Sequence, residues 1–385
     1  MRRFRCSCGA RAFFENSSCL SCGHALGFEL ESFTMLSAAS AADGARFESE
    51  GRTFVRCHNA ELGAGCNWVL PEGGLCAACS LNRTIPNLSI PDHVEQWRRV
   101  ELAKRRLVYG LRVLGLRLES LATDPAHGVA FDFLAPVGDS PVMTGHAEGV
   151  ITLNLAEADP VQREQTRTAL NERYRTLLGH LRHEIGHRYF QLLLPEDSRG
   201  RSRFRELFGD ERSDYAAALA RHYETPPGDE WANDFISAYA SAHPHEDFAE
   251  TWAHYLHMVD ALETAAENGL ARGRGSNARA RRFDSLAAAW QDLTVGWNEL
   301  NRSLGHEDAY PFTLTGHVLD KLAFIHDLIR KQGSPARRAR VASRAKTPDG
   351  LEPAVSAEYS QSALEGARPQ GVAHGGTPCE SHTLL

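Results

Sequence analysis

The run His183-Glu184-Ile185-Gly186-His187 holds the residues best suited to chemistry in this chain. Positions four apart lie on one face of a helix, so His183 and His187 could present two imidazole nitrogens to one metal ion. Glu184 would lie beside that ion as a candidate general base, as in the H-E-x-x-H pattern of zinc hydrolases. These five residues therefore predict a zinc site with hydrolytic chemistry.

The motif is predicted to lie on a helix that spans about residues 174–194. Leu181 and Ile185 belong to an apolar stripe at helical spacing, and Pro195 would end the helix. Gly186 costs a helix roughly 1 kcal/mol relative to alanine, so it needs a reason. Close packing of a neighbouring element, or room at the metal, would supply one.

A zinc ion held by two histidines needs a third protein ligand, and a second helix, which begins at Pro244, offers candidates. Glu246, Glu250 and His254 recur every four residues and share one face of this helix. The first acid could bind zinc while the second bonds a ligand histidine and fixes its tautomer. Glu246 is the preferred ligand and Glu250 the alternative, and His245 could compete for the metal.

On these residues, together with Phe208-Gly209-Asp210-Glu211-Arg212 and the segment 236–254, the chain resembles a family of bacterial zinc-binding metallopeptidases with an N-terminal zinc-ribbon region. Its catalytic part resembles gluzincins, the zincins whose third ligand is a glutamate. The resemblance implies that Glu246 binds zinc and that Glu250 is the second acid behind it. It also implies that Tyr239, seven residues before Glu246, stabilises the oxyanion, as in lethal-factor-type gluzincins.

The expected mechanism is hydrolysis of a peptide bond in a peptide or protein substrate. Zinc would lower the pKa of a bound water from 15.7 towards ~7. Glu184 would accept a proton from that water and later deliver it to the leaving amine. Tyr239 would donate a hydrogen bond to the oxyanion.

Cysteines supply a second signal, because eight of the nine fall into two sets near the N-terminus. Such close pairs fold as tight knuckles around a tetrahedral zinc ion. No secretory signal is apparent in the first residues, so a reducing cytoplasmic location is expected, where such sets hold metal rather than disulfides. We therefore predict two structural zinc ions besides the catalytic one, and a protein partner is conceivable for this region. The two sets are Cys6, Cys8, Cys19 and Cys22, and Cys57, Cys66, Cys76 and Cys79.

Charge and hydropathy limit the partners. The formal net charge of -7 argues against a general affinity for nucleic acid or for an anionic membrane. No apolar run approaches the roughly 20 residues that span a bilayer.

Three regions are predicted along the chain: a zinc-ribbon region at 1–90, a zincin-like metallopeptidase domain at 91–331 and a disordered tail at 332–385. The resemblance covers roughly residues 1–330. The expected fold class is α+β: a predominantly helical zincin-like domain with a small β region, preceded by two zinc-ribbon-like knuckle modules.

Within the second region a long helix should open at Pro91, with Lys104-Arg105-Arg106 on its solvated face. Strands are predicted from Val129 to Leu134 and from Gly149 to Leu155. Residues from Ile151 to Leu155 are either an edge strand to which substrate backbone could add, or an ordinary core strand. Further helical runs are predicted at 203–222, 229–242, 244–265, 279–304 and 315–331.

Other interpretations remain open. A SprT-like protease acting on DNA-bound protein would need a histidine third ligand and a basic surface. A non-enzymatic module could use the ribbons for binding and keep the zincin fold as a scaffold, but zinc binding alone does not require Glu184. Hydrolysis of another amide bond would use the same zinc chemistry. Glu211 and Asp214 are alternative ligands, although ion pairs with nearby arginines are the simpler explanation.

Overall fold

Three sheets and eight α-helices form an α+β fold in the described part of the computed structural model, which comprises residues 1–38, 46–136, 142–169, 172, 175–271 and 282–332. From residue 333 onward the predicted tail lies outside these residues. Within them, no helix combines the length and the apolar character that crossing a bilayer would require.

The N-terminal region is built from short strands. Strands β1 (Phe4–Arg5) and β2 (Arg11–Ala12) form an antiparallel pair. A five-stranded sheet follows, in the order β4-β3-β7-β6-β5. In this sheet β3 and β7 are parallel, whereas the other neighbours are antiparallel. Its strands are β3 (Ala25–Glu29), β4 (Thr34–Ala38), β5 (Phe47–Ser49), β6 (Arg52–Arg56) and β7 (Trp68–Leu70).

A four-stranded sheet in the order β10-β11-β9-β8 lies next along the chain. Its strands are β8 (Asn82–Thr84), β9 (Ala130–Leu134), β10 (Gly145–Ala147) and β11 (Val150–Asn154). β9 is parallel to both β8 and β11, and β10 is antiparallel to β11. Strand β8, from the predicted ribbon region, therefore completes a sheet whose other strands come from the following region.

The hairpin between β10 and β11 corrects one expectation. Glu148 and Gly149 both have positive φ, 49° and 82°, which suits the two-residue turn that joins antiparallel strands. Strand β11 pairs with a strand on each side, so the suggested edge role for Ile151 to Leu155 is wrong. Among the residues that the structure describes, β10 is the terminal strand instead.

Helices make up most of the remaining described residues. Their bounds are α1 (Pro91–Val113), α2 (Pro160–Ala169), α3 (Leu177–Leu193), α4 (Arg199–Phe208), α5 (Tyr215–Glu224), α6 (Pro244–Glu267), α7 (Phe283–Ser303) and α8 (Gly316–Gln332). The motif helix is α3 and the helix with the candidate third ligand is α6, and these two pack directly on each other.

Two of the predicted helical runs differ from the structure. The run 203–222 is two helices, because Gly209 ends α4 with φ of 98° and Asp214 caps α5 by accepting a hydrogen bond from the Ala217 amide at 3.0 Å. The predicted helix at 229–242 is wrong. That segment contains two short 3-10 turns, Asp229–Asn233 and Tyr239–Ala242.

The hydrophobic core is continuous from the N-terminal region to the helices, and its largest buried side chains include Trp68, Trp97 and Trp252. The prediction of a solvated face at Lys104-Arg105-Arg106 is wrong for the first two residues, which are 0% and 3% exposed. Lys104 Nζ lies 2.7 Å from Oε1 of the equally buried Glu101. The amide of Asn82 on β8 donates to the same oxygen at 2.7 Å, so a buried polar cluster links α1 to this sheet.

Candidate metal centre

Helix α3 carries the two motif histidines on a face that packs closely against α6. The helix begins after Thr176, whose hydroxyl accepts a hydrogen bond from the Gly179 amide at 3.0 Å. A Cβ atom at Gly186 would lie 3.2 Å from Cα of Ala249 and 3.2 Å from Cδ1 of Trp252. Glycine at this position therefore lets the α6 backbone approach the motif.

Helix α6 brings a buried carboxylate to that contact. His243 caps the helix, since its Nδ1 accepts a hydrogen bond from the His245 amide at 3.1 Å. Its Nε2 donates to the carbonyl of Ser213 at 3.2 Å. Glu246, in the first turn, is 1% exposed. A buried carboxylate is costly unless a positive group compensates it.

Three ligand atoms converge between α3 and α6. Nε2 of His183 lies 3.0 Å from Oε2 of Glu246. Nε2 of His187 lies 3.2 Å from Nε2 of His183 and 3.6 Å from Oε2 of Glu246. Within the described residues, Oε2 of Glu246 is buried and has no hydrogen-bond donor directed at it. Three electron-rich atoms this close repel one another, so the arrangement fits a shared cation such as zinc.

Glu250 fixes the orientation of His183 from the opposite side of the ring. Nδ1 of His183 donates to Oε1 of Glu250 at 2.7 Å, which leaves the lone pair on Nε2 directed towards Glu246. The hydroxyl of Ser237 donates to Oε2 of Glu250 at 2.7 Å. Burial acts to raise the pKa of Glu250, but the hydrogen bond from His183 outweighs it and holds the pKa at about 2.

The carboxylates of Glu246 and Glu250 favour a positive charge at the site. Burial acts to lower the pKa of His183, yet the two carboxylates of Glu246 and Glu250 raise it well above its ordinary value. Burial acts to raise the pKa of Glu246, yet the adjacent imidazoles of His183 and His187 bring it far below its usual range. The carboxylates therefore favour positive charge between them, which a proton or a metal ion would supply.

Glu184 and Tyr239, the other two residues assigned to catalysis, lie at the same site. Glu184 is buried, and none of the described residues pairs with its carboxylate through a hydrogen bond or an ion pair. The ring of Tyr239 lies 5.9 Å from the ring of His183. Burial, followed by the charge of Glu246, raises the pKa of Tyr239, so its hydroxyl stays protonated at neutral pH.

Sequence reasoning missed three residues at this site. The hydroxyl of Tyr215 donates to Oε1 of Glu246 at 2.7 Å, and Ser237 supports Glu250. The ring of His146 on β10 stacks on that of His187 with 6.2 Å between centroids. Tyr215 directly follows a capping aspartate, which could have marked it as the start of a helix. His146 gives no such local signal, because only the sheet order brings it here.

Three residues weighed as rival ligands have other partners. The ring of His245 packs against Phe190, with 4.8 Å between centroids. Glu211 accepts from Arg205 at 2.6 Å, and Asp214 caps α5. His183, His187 and Glu246 form the one His, Asp and Glu group of metal-binding geometry found in the described residues.

Each cysteine set converges on one point, and its four sulfur atoms lie within 4.8 Å of one another. Sγ of Cys6 is 3.6 Å from that of Cys22, and Sγ of Cys66 is 3.7 Å from that of Cys76. All eight are free thiols. Backbone bonds such as Gly9 N to Cys6 O, 2.9 Å, close the knuckles. Four convergent free thiols suit a tetrahedral zinc ion.

Known proteins share both regions. Residues 93–328 match the family model described as "Putative zinc-binding metallo-peptidase", and residues 3–90 match a zinc-ribbon domain model. Proteins from two strains of Mycobacterium tuberculosis and from Mycobacterium bovis, each described as uncharacterized, are 46% identical over 337 residues. These matches cover 86% of this chain and 95% of each relative. No solved structure matches the chain.

The family model covers more than half of the chain, and its name agrees with the convergence of zinc-type ligands on α3 and α6 and in the two cysteine sets. The chain therefore belongs to the zinc-binding metallopeptidase family, with an N-terminal zinc ribbon.

Proposed function

We propose that the protein is a zinc-dependent peptidase of the gluzincin type, with a zincin-like catalytic domain at 91–331 and two structural zinc ions in the region 1–90. The observation that carries the proposal is the convergence of His183 Nε2, His187 Nε2 and Glu246 Oε2 on one point beside an unpaired Glu184. These three residues would hold the catalytic zinc.

Zinc, when bound, would lower the pKa of a water molecule and polarise the scissile carbonyl. Glu184 has no competing partner among the described residues, so its carboxylate is available to accept a proton from the attacking water and pass it to the leaving amine. Zinc binding alone would not require a free carboxylate here, and this favours an enzyme over a scaffold. Tyr239 would donate a hydrogen bond to the oxyanion, because its raised pKa keeps the hydroxyl protonated at neutral pH.

Strand β10 is our candidate for the strand that aligns the substrate. It is the terminal strand of its sheet in the described part of the chain, and its His146 stacks on the ligand candidate His187. An extended peptide could add to the free edge of β10 by main-chain hydrogen bonds, which do not depend on side-chain identity. A protein or peptide substrate fits this arrangement, and a cytoplasmic location remains the expectation from the cysteine sets.

Zinc content per chain, measured by elemental analysis, tests the metal assignment. The wild type should hold three zinc ions per chain, and His183→Ala and Glu246→Ala should each hold two. Equal zinc content in all three proteins would contradict a zinc site at His183 and Glu246. A binding module based on the zinc ribbons would then be the better explanation of the protein's function.

Peptide cleavage tests the chemistry, with a peptide library as substrate and mass spectrometry as readout. Glu184→Gln should keep all its zinc and lose about 10²- to 10⁴-fold in rate, the usual contribution of a general base. Glu206→Gln, the same change at an exposed position on α4, is the control and should cleave like the wild type. Full activity of Glu184→Gln would contradict the mechanism.

A further inference from the structure

Tyr215 joins the start of α5 to the first turn of α6. It is the first residue of α5, and its hydroxyl donates to Oε1 of Glu246 at 2.7 Å across 31 positions of sequence. Its ring packs edge-on against the ring of His243, with 5.1 Å between centroids, and His243 caps α6. The ring and the hydroxyl of Tyr215 are therefore held by separate contacts.

The two oxygens of Glu246 have different surroundings. Oε2 faces Nε2 of His183 and Nε2 of His187, at 3.0 and 3.6 Å. Oε1 accepts the hydrogen bond from Tyr215. A carboxylate can bind zinc through one oxygen or through both, and a hydroxyl on the second oxygen favours binding through the first alone.

We propose that Tyr215 is a positioning residue that keeps Glu246 a ligand through one oxygen. Three single-atom ligands, two histidines and one carboxylate oxygen, leave a fourth tetrahedral position open for water, as catalytic zinc sites require. A carboxylate bound through both oxygens would fill that position. This inference rests on the proposed metal site, and it gives Tyr215 a role separate from the one proposed for Tyr239.

Tyr215→Phe tests the role, since it removes the hydroxyl and keeps the ring that contacts His243. Tyr109→Phe is a matched control. Its hydroxyl donates to Glu263 at 3.1 Å, so the same chemical deletion is made on α1, away from the metal centre. Both variants would be compared with the wild type as full-length protein with zinc-loaded cysteine sites.

Two properties would be measured: the affinity of the central site for zinc, by competition with a chelator, and the visible spectrum of cobalt(II) placed in that site. Tyr215→Phe should bind zinc about 10- to 100-fold more weakly, as is typical when a partner of a metal ligand is lost. Its cobalt spectrum should change as the coordination of Glu246 changes. Tyr109→Phe should match the wild type in both, because a merely structural hydroxyl does not alter the spectrum.

Two outcomes would overturn the proposal, and they are distinguishable. If the wild type binds metal centrally and Tyr215→Phe shows the same affinity and spectrum, Tyr215 does not position Glu246 and the peptidase proposal stands. If the wild type and His183→Ala bind equal amounts of metal, there is no central site, and both proposals fail.

Discussion

The carboxylate of Glu250 lies 2.7 Å from Nδ1 of His183 and turns the other nitrogen of that ring towards Glu246. A carboxylate in this place fixes the tautomer of a ligand histidine and increases its basicity. The spacing of Glu246 and Glu250 on α6 places the first acid against Nε2 of His183 and the second against Nδ1 of the same ring.

Glu250→Gln should therefore weaken the affinity of the central site for zinc by about 10- to 100-fold while the cysteine sites keep their metal. Ser237→Ala, which removes only the hydroxyl bond to Oε2 of Glu250, should have a smaller effect. Chelator competition on the full-length protein measures both. An unchanged affinity in Glu250→Gln would refute the orienting role.

Tyr239→Phe should keep zinc and lower kcat by about 10²- to 10³-fold, the typical loss when one oxyanion donor is removed. The hydroxyl of Tyr239 stays protonated at neutral pH, so the loss should persist across the neutral range. Steady-state peptide cleavage and zinc content, measured side by side, separate this effect from metal loss. A rate equal to that of the wild type would assign the oxyanion donor elsewhere.

Gly186→Ala should destabilise the protein although alanine is the better helix former. Helix propensity would gain roughly 1 kcal/mol, but the new methyl group would lie 3.2 Å from the Ala249 backbone, and overpacking typically costs about 1–3 kcal/mol. Gly296→Ala on α7 is the control, since its Cβ would meet nothing within 4 Å, and it should be neutral or stabilising. Urea unfolding of the zinc-loaded proteins measures both. Equal stabilisation in the two variants would mean that α3 and α6 are less closely packed than described.

Lys104→Met should lower the free energy of unfolding by about 3–5 kcal/mol, because it leaves the buried carboxylate of Glu101 without its cation. The double variant Glu101→Gln/Lys104→Met removes both charges and should recover much of that loss. Urea unfolding with zinc present provides the comparison. A double variant less stable than Lys104→Met would contradict the explanation by uncompensated charge.

Stability should fall as the pH decreases from 6.5 towards 4, in part because of two histidines on α6, the buried His254 and the half-buried His257. Burial lowers the pKa of His254 to about 4, and burial with the charge of Arg182 lowers that of His257 well below 6.5. Below pH 6.5 the unfolded chain takes up protons at these positions while the folded chain does not, so folding is increasingly disfavoured.

His254→Gln should make the slope of unfolding free energy against pH shallower between pH 6.5 and 4. The change should correspond to the uptake of up to about one proton fewer on unfolding. His317→Gln, at a side chain that is 74% exposed, should keep the slope of the wild type. Zinc is released in acid from the wild type and from both variants alike. Its contribution therefore cancels when the slopes of the variants are compared with that of the wild type. An unchanged slope in His254→Gln would show that this histidine titrates normally in the folded protein.

Local spacing was enough to predict that the side chains of His183, His187 and Glu246 converge. Histidines four apart on one helix, and acids four apart on another, have few arrangements in which they can meet a metal ion, and the structure brings them together. The cysteine sets were predictable for the same reason, since each consists of close pairs with turn-forming glycines.

Long-range pairing was not predictable from such patterns. The order β10-β11-β9-β8 depends on contacts between residues distant in sequence. No local sequence pattern therefore indicates that β11 is an interior strand or that His146 approaches His187. The prediction that Lys104 faces solvent is wrong although a basic run usually does. Its burial depends on the ion pair with Glu101, which is buried only in the tertiary fold. The break in the run 203–222 does have a local signal, since Gly209 ends α4 and Asp214 caps α5.

Strand β8 has a consequence for any attempt to isolate the catalytic region. A fragment beginning at residue 91 would lack β8, and it would uncover the hydrogen-bonding edge of β9. Lys104 and Glu101 would lose the Asn82 side chain, which forms a hydrogen bond with each of them. An exposed apolar strand edge is a template for pairing between molecules, so such a fragment should aggregate. The N-terminal region thus covers a strand edge that would otherwise promote self-association.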